Sequence, residues 1–187
     1  MATALHLCCH MNQNRPNRPL LIVYYSRSGQ TKQVATRLAE LTGADLFEIR
    51  TARPYGPGAR GYAIASLDAL FQRQPEIHFL KPLPDLSRYT SVVVGTPVWF
   101  SSVSPPVRTF LKNHGGSIQN LALMLVHGGS GASRTFDQME EISGKHAVAF
   151  LKFKEQELKS GTDAAPIRKK LAQFVREIGL KPVRKVA

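Results

Sequence analysis

Three runs of this chain are almost continuously apolar: "LLIVYY" at 20–25, "SVVVG" at 91–95 and "LALMLVH" at 121–127. A half-exposed strand alternates apolar and polar residues, so runs like these belong to strands covered on both faces, as in a parallel sheet between helical layers. Residues 45–49 and 147–153 are weaker strand candidates and complete a set of five. Helical patterns separate them. Val34, Leu38 and Leu41 recur at i, i+4 and i+7 and stop at Gly43. A second, weaker helix spans 62–71. Ser104 and Pro105 open a third, carrying Val107, Phe110 and Leu111. Phe136, Met139 and Ile142, closed by Gly144, make a fourth. The last runs from a Thr162/Asp163 cap through Ile167, Leu171, Phe174 and Ile178 to Gly179. Strict alternation predicts an α/β fold, a doubly wound three-layer sandwich around a five-stranded parallel sheet. Such sheets bind ligands outside the carboxyl ends of their strands, near the point where strand order reverses. That selects residues 26–31, 96–104 and 128–134.

The chain has 187 residues, enough for one domain over 20–180, with an N-terminal extension at 1–19 and a basic tail at 181–187. No apolar run approaches the ~20 residues of a membrane span. The start lacks the basic and apolar regions of a secretory signal. Cys8 and Cys9 are adjacent and are the only cysteines, which rules out a disulfide framework and suits a reducing, cytoplasmic setting. They read as incidental thiols. The net charge of +12 is weighted towards the ends: Arg15 and Arg18 stand without acids in 1–19, and ten basic residues face four acidic ones in 152–187. These ends could dock an acidic partner. The interleaved aromatic and basic residues of an RNA-binding motif are missing, which argues against nucleic acid.

The stretch "SRSGQT", 26–31, ends the first strand and opens the first helix. Gly29 permits a tight turn, the helix N-terminus supplies unpaired N–H groups, and Ser26, Ser28 and Thr31 add hydroxyl donors. The donors suit a phosphate; a serine-rich turn that only caps the helix is the plainer alternative. The nucleotide-hydrolase loop with its lysine is absent, as are a following acid to hold magnesium and the cysteine of a phosphatase loop. "GPGARG", 56–61, matches Gly-x-Gly-x-x-Gly but contains Pro57, lies several residues past the second strand and lacks the acid about 20 positions on that a ribose needs. It reads as a loop over the ligand, with Tyr55 or Tyr62 nearby. His127 reads as a hydrogen-bonded residue at a strand end, with proton donation as the alternative.

Taken together, "IVYYSRSGQTKQVATRLAE", "VVVGTPVWFSSVSPPVRTFL" and "HGGSGAS" resemble, in order, the phosphate loop, the flavin loop and the glycine-rich loop of the flavodoxin family. The resemblance covers most of 20–180 and implies strand order 2-1-3-4-5 and FMN as cofactor. It places Ser26, Arg27, Ser28, Gly29, Gln30 and Thr31 around the phosphate. Thr96, Pro97, Val98, Trp99 and Phe100 would line the isoalloxazine, with the Trp99 ring offered for stacking or edge contact. Gly128, Gly129, Ser130 and Gly131 would border its pyrimidine edge. No metal and no acid–base catalyst are expected.

The family includes one-electron carriers and two-electron reductases. In the carriers a glycine after the loop tryptophan frees a peptide to flip; here the residue after Trp99 is Phe100, whose side chain disfavours positive φ by roughly 1 kcal/mol. Carriers are acidic, whereas this chain is basic, and positive charge near a flavin favours its reduced anion. The expectation is two-electron, NAD(P)H-dependent reduction of quinones or similar acceptors, near the quinone reductase branch. A one-electron carrier docking an acidic redox partner stands second, and a flavin-free interaction module of the same fold third. A signalling receiver domain is excluded, because the ends of strands one and three carry Tyr25–Ser26 and Gly95–Thr96 where clustered acids are needed.

Overall fold

The computed structural model describes residues 18–52, 55–56 and 58–180, so Cys8, Cys9, Pro57 and the 181–187 tail lie outside the described residues. In chain order the elements are β1 (Arg18–Tyr24), α1 (Gln30–Thr42), β2 (Asp45–Glu48), β3 (Arg50–Thr51), α2 (Gly58–Leu70), β4 (Ile77–His78), β5 (Tyr89–Trp99), β6 (Ser102–Val103), α3 (Pro105–His114), β7 (Asn120–His127), α4 (Ala132–Ser143), β8 (Ala149–Lys154) and α5 (Ala165–Glu177). The main sheet runs β2-β1-β5-β7-β8, all parallel, which is 2-1-3-4-5 for the five long strands. Two-residue β3 and β4 pair separately. The sheet starts at Arg18, two residues inside the stretch expected to be an extension.

The continuous apolar runs are explained by two cores. Leu21, Val23, Val92, Val94, Leu121, Leu123 and Leu125 face α2, α3 and α4, packing on Ala65, Ala69, Val107, Phe110, Phe136 and Met139. Their neighbours Leu20, Ile22, Val93, Ala122, Met124 and Val126 face α1 and α5, packing on Val34, Leu38, Ile167, Leu171 and Phe174. Every residue of β7 after Asn120 is buried, as a central strand requires. The chain leaves β1 towards β2 and then crosses to β5 on the other side. The crevice between the carboxyl ends of β1 and β5 is therefore the switch point.

Three local expectations change. The segment expected to be a loop after residue 95 remains a strand through Trp99, turns at Phe100 and Ser101, and returns as β6, with Val98 opposite Val103 and Trp99 opposite Ser102. A two-residue hairpin closed by a type I′ turn, one of the two that follow the sheet twist, has positive φ at both central residues. Phe100 and Ser101 accordingly sit at φ 51° and 56°. Position 100 adopts the left-handed region in spite of the penalty on its side chain, because hairpin closure outweighs it. Second, "GPGARG" is not a loop over the ligand: Gly58–Gly61 form the first turn of α2. A Cβ on Gly61 would lie 1.8 Å from the Gly56 carbonyl oxygen, so packing rather than phosphate binding demands that glycine. Third, α5 starts behind Ala164 with no side-chain cap, so Thr162 and Asp163 do not cap it; Asp163 instead accepts an ion pair from Arg37 at 2.7 Å.

Candidate functional site

The first loop is built around Ser26. Its Oγ accepts the N–H groups of Gly29 at 3.1 Å and Lys32 at 3.3 Å. Gly29 turns the chain at φ 88° and its carbonyl starts α1 by accepting from Gln33 at 2.9 Å. The first four N–H groups of a helix have no partner within it. Ser26 takes two of these, which leaves the amides of Gln30 and Thr31 as the free donors at the helix head. Ser26 is thus a cap, as the plainer alternative had it, and a cap that shapes the donors beside it.

Beside this loop lies a cavity of about 210 Å³ lined by Arg27, Ser28, Gln30 and Thr31 from the first loop, Pro97, Val98 and Trp99 from β5, and Gly128 after β7. Tyr62, Val126 and Glu155 close it. The guanidinium of Arg27 stands over the Tyr62 ring at 5.4 Å and reaches the Gly56 carbonyl at 3.4 Å. A larger cavity of about 730 Å³ shares Tyr62, Val98 and Gly128 with the first and continues along Phe100, Gly129 and Ser130. Leu70, Gln72, Ser101, Ser102, Arg134 and Gln138 form the rest of its wall.

Four of the expected residues line neither cavity. Ser26 and Gly29 shape the loop from behind. Thr96 is fully buried; its Oγ1 lies 2.9 Å from Ser104 Oγ and accepts the Ser104 N–H at 3.2 Å, so it ties β5 to the start of α3. Gly131 caps α4 at φ 83°, where a Cβ would come within 2.5 Å of Ser101 Cα. The glycine loop is therefore pressed backbone to backbone against the hairpin. Val103 N–H donates to Gln138 Oε1 at 3.2 Å and fixes the same contact from the other side.

The tryptophan differs from expectation as well. Trp99 is only 3% exposed and sits edge-on between Tyr25, at 5.6 Å, and Tyr55, at 5.2 Å. It lines the smaller cavity while packed into the core. The Tyr55 hydroxyl donates to Asp68 at 3.0 Å, and burial and that carboxylate raise its pKa; Tyr25 is pushed up to about 12, chiefly by burial. Both phenols stay neutral through the physiological range. Phe100, at 62% exposure, lines the larger cavity together with Tyr62. His127 is buried with no partner for Nδ1, and burial followed by Lys152 and Lys154 lowers its pKa; it lines neither cavity. Among the described residues there is no cluster fit to hold a metal, and no helix is long and apolar enough to cross a membrane.

The flavodoxin family model matches residues 19–165. The chain belongs to that family, whose cofactor is FMN. Among solved structures, a flavoprotein from Lactobacillus acidophilus NCFM in complex with FMN is 22% identical, with a TM-score of 0.63 over 78% of this chain and 99% of that one. A candidate flavoprotein from Bacteroides eggerthii DSM 20697 is 20% identical, with a TM-score of 0.66 over 87% and 99%. Oxidised flavodoxin 1 from Bacillus cereus is 16% identical, with a TM-score of 0.51 over 86% and 97%. At these identities the likeness is one of fold. A search of curated proteins gives no match.

The residues present fit FMN. Two amides at the helix head, the Ser28 and Thr31 hydroxyls and the Arg27 guanidinium gather at one cavity as the kind of donors a phosphate dianion requires. The larger cavity combines apolar walls, Val98 and Phe100, with glycines that leave room for a ring: a Cβ on Gly128 or Gly129 would meet no protein atom within 4 Å.

Proposed function

We propose that the chain is an FMN-dependent redox protein that reduces a small acceptor, such as a quinone, by two electrons. The carrying observation is the shared lining: the head of α1, with its free amides, opens onto the same cavity as Pro97–Trp99 and Gly128. A phosphate held there by Arg27, Ser28, Gln30 and Thr31 directs the rest of the cofactor along Val98 into the larger cavity. FMN supplies the electron chemistry when bound, and the protein supplies orientation and electrostatics.

Charge supports the two-electron reading. Arg27 and Arg134 line the connected cavities, against a single lining carboxylate, Glu155. A cation beside the ring, as Arg134 would be in the larger cavity, favours an anionic reduced cofactor over a neutral one. The larger cavity is open beside Phe100, giving an acceptor a place to approach. NAD(P)H or a redox protein is the donor. The test is steady-state oxidation of NADPH by the purified, FMN-loaded protein with a benzoquinone acceptor. Turnover supports the reading. Failure to turn over, with a half-reduced flavin accumulating on anaerobic photoreduction, transfers the protein to the one-electron carriers.

A further inference from the structure

The larger cavity, about 730 Å³, is of the size that takes a whole drug-sized ligand, yet only a ring system has to fit there when the phosphate sits at the head of α1. Room is left against the wall formed by Leu70, Gln72, Ser101, Ser102, Arg134 and Gln138. Among the described residues no carboxylate lines this cavity, so nothing in it calls for a cationic acceptor. Gln138 stands out on that wall because its side chain has a fixed direction. It is half-buried, and its Oε1 accepts the Val103 N–H at 3.2 Å. An N–H can bond only to the oxygen of a carboxamide, so the other end of the group is Nε2, with two N–H donors. No described residue accepts from them. The side chains of Gln72, Ser101, Ser102 and Arg134 have no hydrogen bond to a described residue, so none of them is held as Gln138 is.

We propose that Gln138 seats the acceptor, and that the acceptor is an uncharged carbonyl compound of the quinone type whose oxygen meets Gln138 Nε2. This rests on the FMN-dependent reading above. In the two-electron step a hydride leaves the reduced cofactor, which is thereby oxidised, and forms an O–H bond at one quinone carbonyl. The other carbonyl oxygen becomes a phenolate and takes a proton from water, which completes the hydroquinone. The Gln138 donors face the oxygen on which that negative charge collects. Val103 holds them there beforehand, so no reorganisation is needed as the charge develops. An acceptor without a carbonyl leaves the donors unpaired and gains nothing from them.

The test uses the full-length, FMN-loaded protein and duroquinone, whose fully substituted ring resists addition by the Cys8 and Cys9 thiols. Calorimetry on the oxidised protein, which cannot reduce the quinone, reads binding alone. Reoxidation of the dithionite-reduced protein, followed at the visible flavin band, reads transfer with no electron donor assumed. Gln138→Met is neutral and similar in length but has neither donor nor oxygen, whereas Gln138→Glu keeps an oxygen for Val103 and removes the donors. Both variants should bind duroquinone at least about tenfold more weakly, and be reoxidised by it at least about tenfold more slowly, with FMN affinity unchanged. Reoxidation of Gln138→Met by ferricyanide, which has no carbonyl, should keep the parent's rate. Parent-like behaviour of both variants with duroquinone overturns the proposal, as does an equal loss with ferricyanide. A loss confined to Gln138→Met assigns the residue to the Val103 contact alone, and weaker FMN binding in either variant assigns it to the cofactor; each overturns the proposal. A parent that holds FMN but neither binds duroquinone nor is reoxidised by it overturns the proposal and leaves the cofactor reading standing. A parent with no visible flavin band after loading overturns both.

Discussion

Three glycines around the cleft separate what the fold needs from what a ligand needs, and alanine at each should give a different result. At Gly131 a methyl group meets two obstacles. The residue sits at φ 83°, where a side chain costs about 1 kcal/mol. The new Cβ would also lie 2.5 Å from Ser101 Cα, a main-chain atom of the hairpin, and 2.7 Å from Ser101 Cβ, which the main chain fixes, rather than against a flexible tip alone. Forcing such an overlap costs a further ~1–3 kcal/mol, so Gly131→Ala should lose about 2–4 kcal/mol and melt lower by roughly 5–15 °C. Gly29→Ala meets the φ penalty alone, since no atom lies within 4 Å, and should lose about 1 kcal/mol. Gly128→Ala meets neither a positive φ nor a neighbour, so its apoprotein should melt within about 0.5 kcal/mol of the parent. It lines both cavities, however, so its methyl group should weaken FMN binding. Urea unfolding of the apoproteins gives the stabilities, and FMN titration gives the affinities. A Gly131→Ala protein as stable as Gly128→Ala would refute the backbone contact between glycine loop and hairpin. Unchanged FMN affinity in Gly128→Ala would remove that residue from the cofactor site.

Ser26→Ala should lose about 1 kcal/mol by thermal denaturation, because the Gly29 and Lys32 amides lose their acceptor, and FMN should bind more weakly as the loop loosens. Thr96→Val should cost about 1–3 kcal/mol through the stranded Ser104 N–H yet leave FMN affinity nearly intact; a large affinity loss at unchanged stability would return Thr96 to the cofactor. His127 titrates below its ordinary 6.5 in the folded state, so the unfolded chain binds that proton more readily. Its contribution is present above pH 6.5 and is lost as pH falls through the lowered folded-state value, and His127→Gln should flatten the stability profile on the acid side of pH 6.5 in urea melts.

The fold was legible because runs such as "LALMLVH" admit few alternatives: a strand buried on both sides needs helices on both sides. Strand order needed the family resemblance, since nothing in the spacing of five runs says that β1 sits between β2 and β5. At the site, the turn at Gly29 and the donors beside it could be read from residue types alone. Trp99 could not, because one aromatic at a strand end serves a pocket wall and a core equally well, and its neighbours Tyr25 and Tyr55 come together only in three dimensions. The turn at Phe100 and Ser101 was hidden for a related reason: its conformation is set by closure of β5 onto β6, which overrides local preference. Arg134 closed the selected stretch 128–134 without being singled out, and Gln138 carried no signal at all. They are ordinary residues on a helix, and α4 happens to bring them to the cavity.

The most direct measurement is a parallel titration of the apoprotein with FMN and with riboflavin, followed by visible absorption. Saturation at one FMN per chain, with riboflavin bound at least about a hundredfold more weakly for want of a phosphate to meet the α1 amides and Arg27, is the predicted result. Equal affinity for the two, or no uptake of either, would contradict it.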